Sequence, residues 1–250
     1  MGIAFSVIEK LDTLGAFKKG GALLDVGSSN LYGASEAGVS SFTEKYSGVK
    51  ADTKVVSDIA AGSGYQQGLG GKNEAWAGQV FDLAGFSYLA FDIAEGYKTE
   101  VFDLNTQKLN PKLKSSFDLI INCGTTEHLI GQLNAFSTLH DATKTGGMLF
   151  HQLPHTGYSN HGYFTYTGRF FFDMAGHNKY EVVACWYDHA GDEPLTKCAE
   201  DYSTYFTALK QTIKTAPSVA IPTVSLNVLL RKTRDKPFIA GLETSTSVVR

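Results

Sequence analysis

Apolar residues along the chain form short runs that polar, glycine-containing stretches separate. Residues 3–19 carry apolar side chains close to helical spacing, which predicts a leading amphipathic helix that Gly20 and Gly21 end. Residues 22–27 form a short apolar run that stops at a glycine, a pattern typical of a buried parallel strand. Further runs predict strands at residues 88–92, 100–104, 117–123, 148–153, 182–187 and 223–232.

Helical patterns lie between these strands, at residues 73–84 and 127–142. Strands that alternate with helices predict an α/β protein with a Rossmann-like, doubly wound, mostly parallel seven-stranded sheet, helices on both faces and insertions. In such a sheet, ligands bind beyond the carboxyl ends of the strands, near the point where the strand order reverses. Residues that directly follow a strand are therefore the first candidates for function.

Domain boundaries are weakly marked, so residues 1–236 are interpreted as a single domain. Residues 31–72 are rich in glycine, serine and lysine and are expected to form an insertion or a mobile lid. Residues 154–180 and 188–222 are expected to add structure beside the sheet. The tail from 237 to 250 is expected to be weakly ordered.

Composition excludes several functional classes. Hydrophobic residues make up 43% of the chain and charged residues 19%, the balance of a globular protein with a sizeable core. The net charge is −3 and no Lys/Arg-rich run occurs, which argues against a nucleic-acid partner. No apolar run approaches the roughly 18 to 20 residues that span a bilayer. With no basic, apolar leader, the chain is expected to be cytoplasmic and to have no membrane partner.

Cysteine usage adds one exclusion. Cys123, Cys185 and Cys198 are odd in number, widely spaced and without a CxxC pair. A disulfide framework and a zinc knuckle are therefore not expected.

Polar residues and glycines follow four of the predicted strands. Gly27, after the first strand, allows the backbone to approach a ligand because no Cβ intrudes. Asp92, after the second strand, could accept two hydrogen bonds from a ribose diol. Asp103 and Asn105 follow the third strand, and Gly124 begins a turn after the fourth. Taken alone, a glycine after a strand is more often just a turn, and an Asp at a strand end is more often a helix cap, but the order of these signals is more specific.

Taken in order, six short segments resemble the motifs of class I S-adenosylmethionine-dependent methyltransferases. They are LDVG (24–27), FD (91–92), DLN (103–105), FDLI (117–120), EHL (127–129) and KTGG (144–147). The resemblance covers roughly residues 22–153, and the last strand extends it. The block FDLIINCGTTEHL is similar to small-molecule and sugar-directed members. The resemblance implies S-adenosylmethionine as cofactor and a small-molecule acceptor as partner.

The resemblance also implies a role for each strand end. Asp25 and Gly27 would lie beside the methionine portion of the cofactor, Asp92 would hold the ribose, and Asn122 would present its backbone near the methionine amino group. Asp103 and Leu104 would border the adenine. The full set of implied cofactor-binding residues is Asp25, Gly27, Ser28, Asn30, Asp92, Asp103, Leu104, Asn122 and Gly124.

Two departures from the family pattern keep other functions open. Ser28, Ser29 and Asn30 stand where further glycines are usual, and Gly27 is much farther from Asp92 than the roughly 20 residues of the dinucleotide fingerprint. One alternative is an NAD(P)-dependent oxidoreductase, although GxGxxG is absent. The other is a non-catalytic Rossmann-like binding module.

The expected reaction is O-methylation of a small polar acceptor such as a sugar or sugar-like intermediate. A hydroxyl acceptor must lose its proton, so a histidine or carboxylate within hydrogen-bond reach is needed. Glu127 and His128 begin the helix after the fourth strand, although His128 could instead be bonded to nearby backbone. His155 and His161 follow the fifth strand, where related enzymes build the acceptor pocket. These four residues are the predicted catalytic set.

Aromatic residues between 158 and 172 could wall that pocket, with Asn160 and Arg169 as acceptor contacts. His151, His155 and His161 could join Glu127 around a metal ion. However, HxxxH spacing holds one ion on a helix, and this region is predicted to be strand and then loop. No metal ligand is therefore assigned, but metal binding and a homodimer both remain open alternatives.

Overall fold

A computed structural model of the chain describes residues 2–64, 75–158, 161–189, 199–201 and 220–241. Asn160, most of 188–222 and the end of the predicted tail lie outside the described residues. The elements follow in this order: β1 (Gly2–Ala4), α1 (Phe5–Thr13), β2 (Ala22–Val26), β3 (Asn30–Tyr32), α2 (Glu36–Ser47), α3 (Thr53–Gly62), α4 (Ala77–Leu83), β4 (Ser87–Asp92), β5 (Thr99–Val101), a 3₁₀ turn (Pro111–Leu113), β6 (Phe117–Cys123), a second 3₁₀ turn (Thr126–His128), α5 (Gln132–Ala142), β7 (Thr143–Thr156), α6 (Gly168–Asn178), β8 (Glu181–His189), β9 (Ala199–Asp201), β10 (Ala220–Pro222) and β11 (Val224–Arg231).

The central sheet has seven strands in the order β5-β4-β2-β6-β7-β11-β8. The neighbours from β5 to β7 pair in parallel, whereas β11 is antiparallel to both β7 and β8. The chain builds outward from β2 through β4 to β5 and then returns to the other side of β2 with β6. The strand order therefore reverses between β2 and β6. The predicted Rossmann-like, mostly parallel seven-stranded sheet is confirmed.

Helices cover both faces of this sheet because the buried strands are apolar on both sides. One face packs against α1 to α4, with Leu11, Phe42 and Phe81 among the buried contacts. The opposite face packs against α5 and α6 through Phe136 and Phe171. Each face has its own buried apolar cluster, which is the doubly wound arrangement that the alternating pattern predicts.

The segment predicted as an insertion or lid contributes to the core as far as it is described. Ser35 caps α2 by accepting a hydrogen bond from the Gly38 backbone N–H, and α2 ends at Gly48, whose φ is +77°. Val39 on α2 and Ile59 on α3 are buried in the cluster on the first face. Residues 31–64 thus form β3, α2 and α3, and residues 65–72 lie outside the described residues.

Two predicted helices begin or end elsewhere. The leading helix was predicted from residue 3, but Gly2–Ala4 pairs in parallel with Asn30–Tyr32, and α1 starts at Phe5. The helix predicted over 127–142 is divided into a 3₁₀ turn and α5. At the break, a Cβ on Gly131 would lie 2.5 Å from the backbone oxygen of Asn105, so this close approach requires glycine.

The connection between β4 and β5 is unusually short. Residues 93–98 join two parallel strands, which commonly need a crossover of a dozen residues or more. These residues form no helix, whereas the crossover from β6 to β7 contains α5. The β4–β5 crossover therefore adds no helix to cover this end strand of the sheet. Among the described residues, no helix is both long and apolar enough to cross a membrane.

Candidate functional site

Strand register aligns the predicted motif residues at one end of the sheet. Val26 is level with Phe91 on β4 and with Asn122 on β6. The residues that follow, Gly27, Asp92 and Cys123, therefore lie in one row. This row flanks the reversal point between β2 and β6, where ligands of doubly wound sheets bind.

Asp25 is buried at this end, and its carboxylate is fully used by the protein. Its oxygens accept hydrogen bonds from the Ser29 N–H at 2.7 Å, the Ser29 hydroxyl at 2.9 Å and the Tyr88 hydroxyl at 2.8 Å. Burial raises its pKa, against the lowering effect of these hydrogen bonds. Asp25 therefore fixes the loop after β2 from inside, and its side chain is not directed at open space.

The rest of that loop is held by neighbouring segments. Gly27 has a φ of +106°, and its N–H donates to the Phe91 carbonyl. The Ser28 hydroxyl accepts a hydrogen bond from Thr99, and Gly96 packs directly against it. Asn30 belongs to β3 and pairs with the first strand.

Asp92 differs from Asp25 because it is half-buried and only partly engaged. Its Oδ1 accepts from the Ala94 N–H at 3.1 Å, and Oδ2 has no hydrogen-bond partner among the described residues. The carboxylate stands beside Gly27 at the end of β4. It can accept further hydrogen bonds, as a diol ligand would require.

The loop after β5 is shaped by Asp103. Its carboxylate accepts from the Asn105 N–H and the Thr106 hydroxyl, and these hydrogen bonds lower its pKa. Leu104 is buried, and its carbonyl accepts a hydrogen bond from Asn134 on α5. The loop is therefore fixed against the start of α5, on the same side of the sheet end as Asp92.

The end of β6 carries polar groups that the sheet buries completely. Asn122 donates from Nδ2 to the Thr126 hydroxyl and to His151 Nδ1, at 2.9 and 3.0 Å. Burial lowers the pKa of His151 to about 3, so its imidazole is neutral. The Thr125 hydroxyl donates to the Val26 carbonyl at 2.5 Å. These contacts tie β6, β7 and β2 together around the reversal point.

A cavity of about 200 Å³ opens next to these strand ends. The end of β6 supplies Cys123 and Gly124, and β7 supplies Gln152. Burial raises the pKa of the Cys123 thiol well above its usual range, so this residue is not a thiolate nucleophile.

The remaining walls are more polar. They include Glu127, Tyr158 and His161, together with Ser225, the second residue of β11. The Tyr158 and Ser225 hydroxyls lie 2.8 Å apart and bond to each other. The cavity therefore joins hydroxyls and a carboxylate with the backbone of the β6 turn.

Glu127 is the most unusual of these groups. Its side chain is fully buried, and among the described residues neither carboxylate oxygen has a hydrogen-bond partner. Burial raises its pKa to about 7. A buried carboxylate without hydrogen bonds is costly, so its retention at a cavity wall points to function.

Two histidines face this carboxylate. Nε2 of His161 lies 3.4 Å from Glu127 Oε1, and Nε2 of His128 lies 3.8 Å from the same oxygen. Their side chains are 44% and 37% exposed, so both rings can also meet solvent or a ligand. Burial, followed by the nearby His161, lowers the pKa of His128. Three of the four predicted catalytic residues thus come together.

His155 does not join them. Its Nδ1 lies 2.7 Å from the Tyr166 carbonyl, and its ring packs on Tyr187. It is not among the residues that line the cavity. Arg169, predicted as an acceptor contact, pairs with Asp173 on its own helix.

Gly2, Gln152 and Ser225 also line the cavity, and the sequence analysis did not select them. Gln152 had a detectable signal, since it is a polar residue in a buried, apolar strand. Gly2 and Ser225 had none, because only the pairing of β1 with β3 and of β11 with β7 brings them here.

The residues at the β2–β4 side fit S-adenosylmethionine in donor and acceptor chemistry. The Asp92 carboxylate has acceptor capacity left for a ribose diol, and Gly27 and Gly124 have positive φ angles at the reversal point. The buried loop around Leu104 would border the adenine. The side chains of Asp25, Ser28 and Asp103 are hydrogen-bonded within the protein, so they would fix the loops and would not contact the cofactor directly.

Neither a protein-family model nor a curated protein matches the chain. Solved structures of low identity are similar to it. A SAM-dependent methyltransferase from Archaeoglobus fulgidus has a TM-score of 0.45 and 10% identity, over 91% of this chain and 94% of that one. Haemonchus contortus phosphoethanolamine N-methyltransferase 2, with S-adenosyl-L-methionine bound, has a TM-score of 0.43 and 13% identity. The alignment covers 92% of this chain and 52% of that one.

A third similar structure is the Burkholderia thailandensis 1,6-didemethyltoxoflavin-N1-methyltransferase, with S-adenosylhomocysteine bound. Its TM-score is 0.41 at 10% identity, over 92% of this chain and 77% of that one. The strand order of the chain itself establishes a Rossmann-like α/β fold, with the predicted motif residues gathered at the reversal point of its sheet.

Proposed function

We propose that the chain is an S-adenosylmethionine-dependent methyltransferase that acts on a small polar acceptor. The observation that carries this proposal is the row formed by Gly27, Asp92 and Cys123, directly beside the polar cavity. One side of the reversal point offers a glycine turn and a carboxylate for the cofactor. The other side offers a cavity with basic groups for the acceptor.

The cofactor supplies an electrophilic methyl group on a sulfonium, and the protein supplies alignment and charge. Asp92 would hold the ribose, the Gly27 and Gly124 turns would allow close backbone approach, and the loop at Leu104 would border the adenine. The Asn122 backbone lies level with Val26, which suits the predicted contact with the methionine portion.

For a hydroxyl acceptor, a new oxygen–carbon bond forms while the sulfur–carbon bond breaks, and the hydroxyl proton must leave. Glu127 and His161 line the cavity and His128 lies beside Glu127, and we assign proton removal and acceptor orientation to this cluster. Tyr158 and Ser225 offer hydroxyls for hydrogen bonds to the acceptor. These polar walls favour a hydroxyl-rich acceptor of the sugar type.

Isothermal titration with S-adenosylhomocysteine tests the cofactor side. We expect micromolar binding that weakens about 10- to 100-fold in Asp92→Ala, which corresponds to about 1.4 to 2.7 kcal/mol. Asp58→Ala is the matched control, since Asp58 is an exposed carboxylate on α3 that pairs with the exposed Lys54. Its affinity should equal that of the wild type.

NADH titration in parallel tests the oxidoreductase alternative. Binding of NADH without binding of S-adenosylhomocysteine would contradict the methyltransferase proposal. If neither ligand binds, the result would instead favour a non-catalytic binding module.

A further inference from the structure

We propose that Glu127, His128 and His161 form a binding site for one divalent transition-metal ion at the wall of the cavity. This inference rests on the proposed function and deepens it. With an ion bound, the three side chains would be its ligands, and the ion would orient the acceptor hydroxyl and favour loss of its proton to solvent, in place of direct proton removal by the cluster. The cation site itself is defined by three side chains of this chain and can be tested without a cofactor.

The geometry of the three groups suits a single ion. Their ligand atoms all lie within 4.8 Å of one another, with Glu127 Oε1 at 3.4 Å from His161 Nε2 and 3.8 Å from His128 Nε2. Two ligands about 2.1 Å from a tetrahedral ion lie about 3.4 Å apart, so small side-chain adjustments complete the site.

The hydrogen bonding of Glu127 is the second observation. Both carboxylate oxygens are buried and have no hydrogen-bond partner in the part of the chain that the structure describes, and the side chain lines the cavity. Asp25, the other buried carboxylate at this sheet end, accepts three hydrogen bonds. A buried carboxylate is expected to be paired or to coordinate a metal, and a cation in direct contact would satisfy Glu127 as the three donors satisfy Asp25.

The backbone holds His161 beside Glu127 although 33 residues separate them. The Glu127 carbonyl accepts hydrogen bonds from the N–H groups of Tyr163 and Phe164, at 2.8 and 3.1 Å. A Cβ on Gly162 would lie 2.9 Å from Glu127 Cγ, so glycine permits this approach. The turn that carries His161 is therefore fixed against the residue it would share an ion with.

The ligand types indicate the class of ion. Imidazole favours zinc, iron, cobalt and other transition metals, whereas magnesium and calcium prefer oxygen ligands. Two histidines and one glutamate leave a coordination position open, as catalytic zinc sites do. Since Glu127 and His161 line the cavity, this position faces the space proposed for the acceptor.

The test uses the full, tag-free chain after treatment with EDTA and removal of the chelator. We expect one equivalent of Zn²⁺ or Co²⁺ to bind in isothermal titration, and Co²⁺ to give the visible spectrum of a site with nitrogen and oxygen ligands. Glu127→Gln and His161→Gln should each weaken binding by about 100-fold or more, since each removes a ligand. His161→Cys should restore Zn²⁺ binding, because a thiolate is also a zinc ligand.

His177→Gln is the control for loose binding to surface imidazoles and should bind as the wild type does. Circular dichroism and S-adenosylhomocysteine titration of each variant report whether the fold and the cofactor side are intact. Loss of S-adenosylhomocysteine binding alone would contradict the proposed function and leave the metal result standing. Absence of micromolar binding by the wild type, or unchanged affinity in both ligand variants, would overturn the metal site.

Discussion

The two sides of the reversal point handle their buried polar groups in opposite ways. At the ends of β2, β4 and β5, which we term the β2–β5 edge, the buried Asp25 and the more exposed Asp103 each accept hydrogen bonds from their own loops. At the ends of β6 and β7 and the start of the antiparallel β11, which we term the β6–β11 edge, some buried polar atoms have no hydrogen-bond partner among the described residues. Within the described residues these atoms are Asn122 Oδ1, Glu127 Oε1 and Oε2, His151 Nε2 and Asn227 Oδ1.

This difference separates loop construction from ligand chemistry. Hydrogen bonds that fix a loop are made inside the protein, so they contribute to stability before any ligand arrives. Unpaired buried groups cost stability, and folded proteins keep few of them. We therefore expect loss of the enclosed Asp25 to lower stability, and changes to the unpaired buried groups of the β6–β11 edge to alter acceptor-side binding and pH dependence.

The largest expected effect is that of Asp25→Ala. The substitution leaves the Ser29 N–H and the Tyr88 hydroxyl buried without acceptors, and each such loss costs about 1–3 kcal/mol. We expect the free energy of unfolding to fall by about 4 kcal/mol in urea denaturation followed by circular dichroism. Asp58→Ala should change it by less than about 0.5 kcal/mol, since its ion pair is exposed. A fall of less than about 1 kcal/mol in Asp25→Ala would contradict the loop-building role.

The next effect is a pH dependence that Glu127 imposes. Its pKa is raised from 4.5 to about 7, so the folded state keeps a proton that the unfolded state has released. Stability from this group is complete below pH 4.5 and is lost as the pH rises through 7. In EDTA, the wild type should lose about 2.5 kcal/mol relative to Glu127→Gln between pH 5 and 8. Parallel stability curves for the two proteins would contradict this prediction.

His151 has the opposite pH dependence. Its pKa is lowered from 6.5 to about 3, so the unfolded state binds a proton that the folded state rejects. Its contribution is therefore complete above pH 6.5 and decreases as the pH falls. Between pH 8 and 5 the wild type should lose about 2 kcal/mol relative to His151→Gln, measured by urea denaturation. A glutamine can still accept the hydrogen bond from Asn122, so an equal loss in both proteins would show that other groups titrate.

The smallest effect concerns Asp103. Thr106→Val removes the hydroxyl that donates to its carboxylate, so the pKa of Asp103 should rise toward its usual value in an NMR titration. Because this loop is near the surface, the free energy of unfolding should change by less than about 0.5 kcal/mol. An unchanged Asp103 pKa would mean that the Asn105 N–H alone keeps it low.

Local patterns determined much of the fold. The apolar run before Gly27 and the run FDLIINC are too apolar for anything except buried strands or helices, and their length favours strands. Glycines and carboxylates placed directly after strands marked the sheet end before any contact was visible. These features depend on neighbours in the sequence, so the sequence alone was sufficient to predict them.

The positions of the histidines were not predictable in this way. His155 and His161 are six residues apart in one polar segment, yet His155 contacts the Tyr166 carbonyl and His161 contacts Glu127. Likewise, the 127–142 helix was predicted from its composition, but the approach of Asn105 to Gly131 divides it. The contacts of His155, His161 and Gly131 depend on which segment, distant in the sequence, packs against each of them in the folded chain.

The sequence by itself determined the α/β class, the run of strands and the residues that end them, because periodicity and glycine placement act over a few residues. Only the tertiary structure decided that β11 lies between β7 and β8, that Asp25 is enclosed while Asp92 is not, and that Glu127 meets two histidines. Those results depend on strand register and on loop closure across tens of residues. No local pattern encodes these distances, because they are set by the packing of the whole sheet.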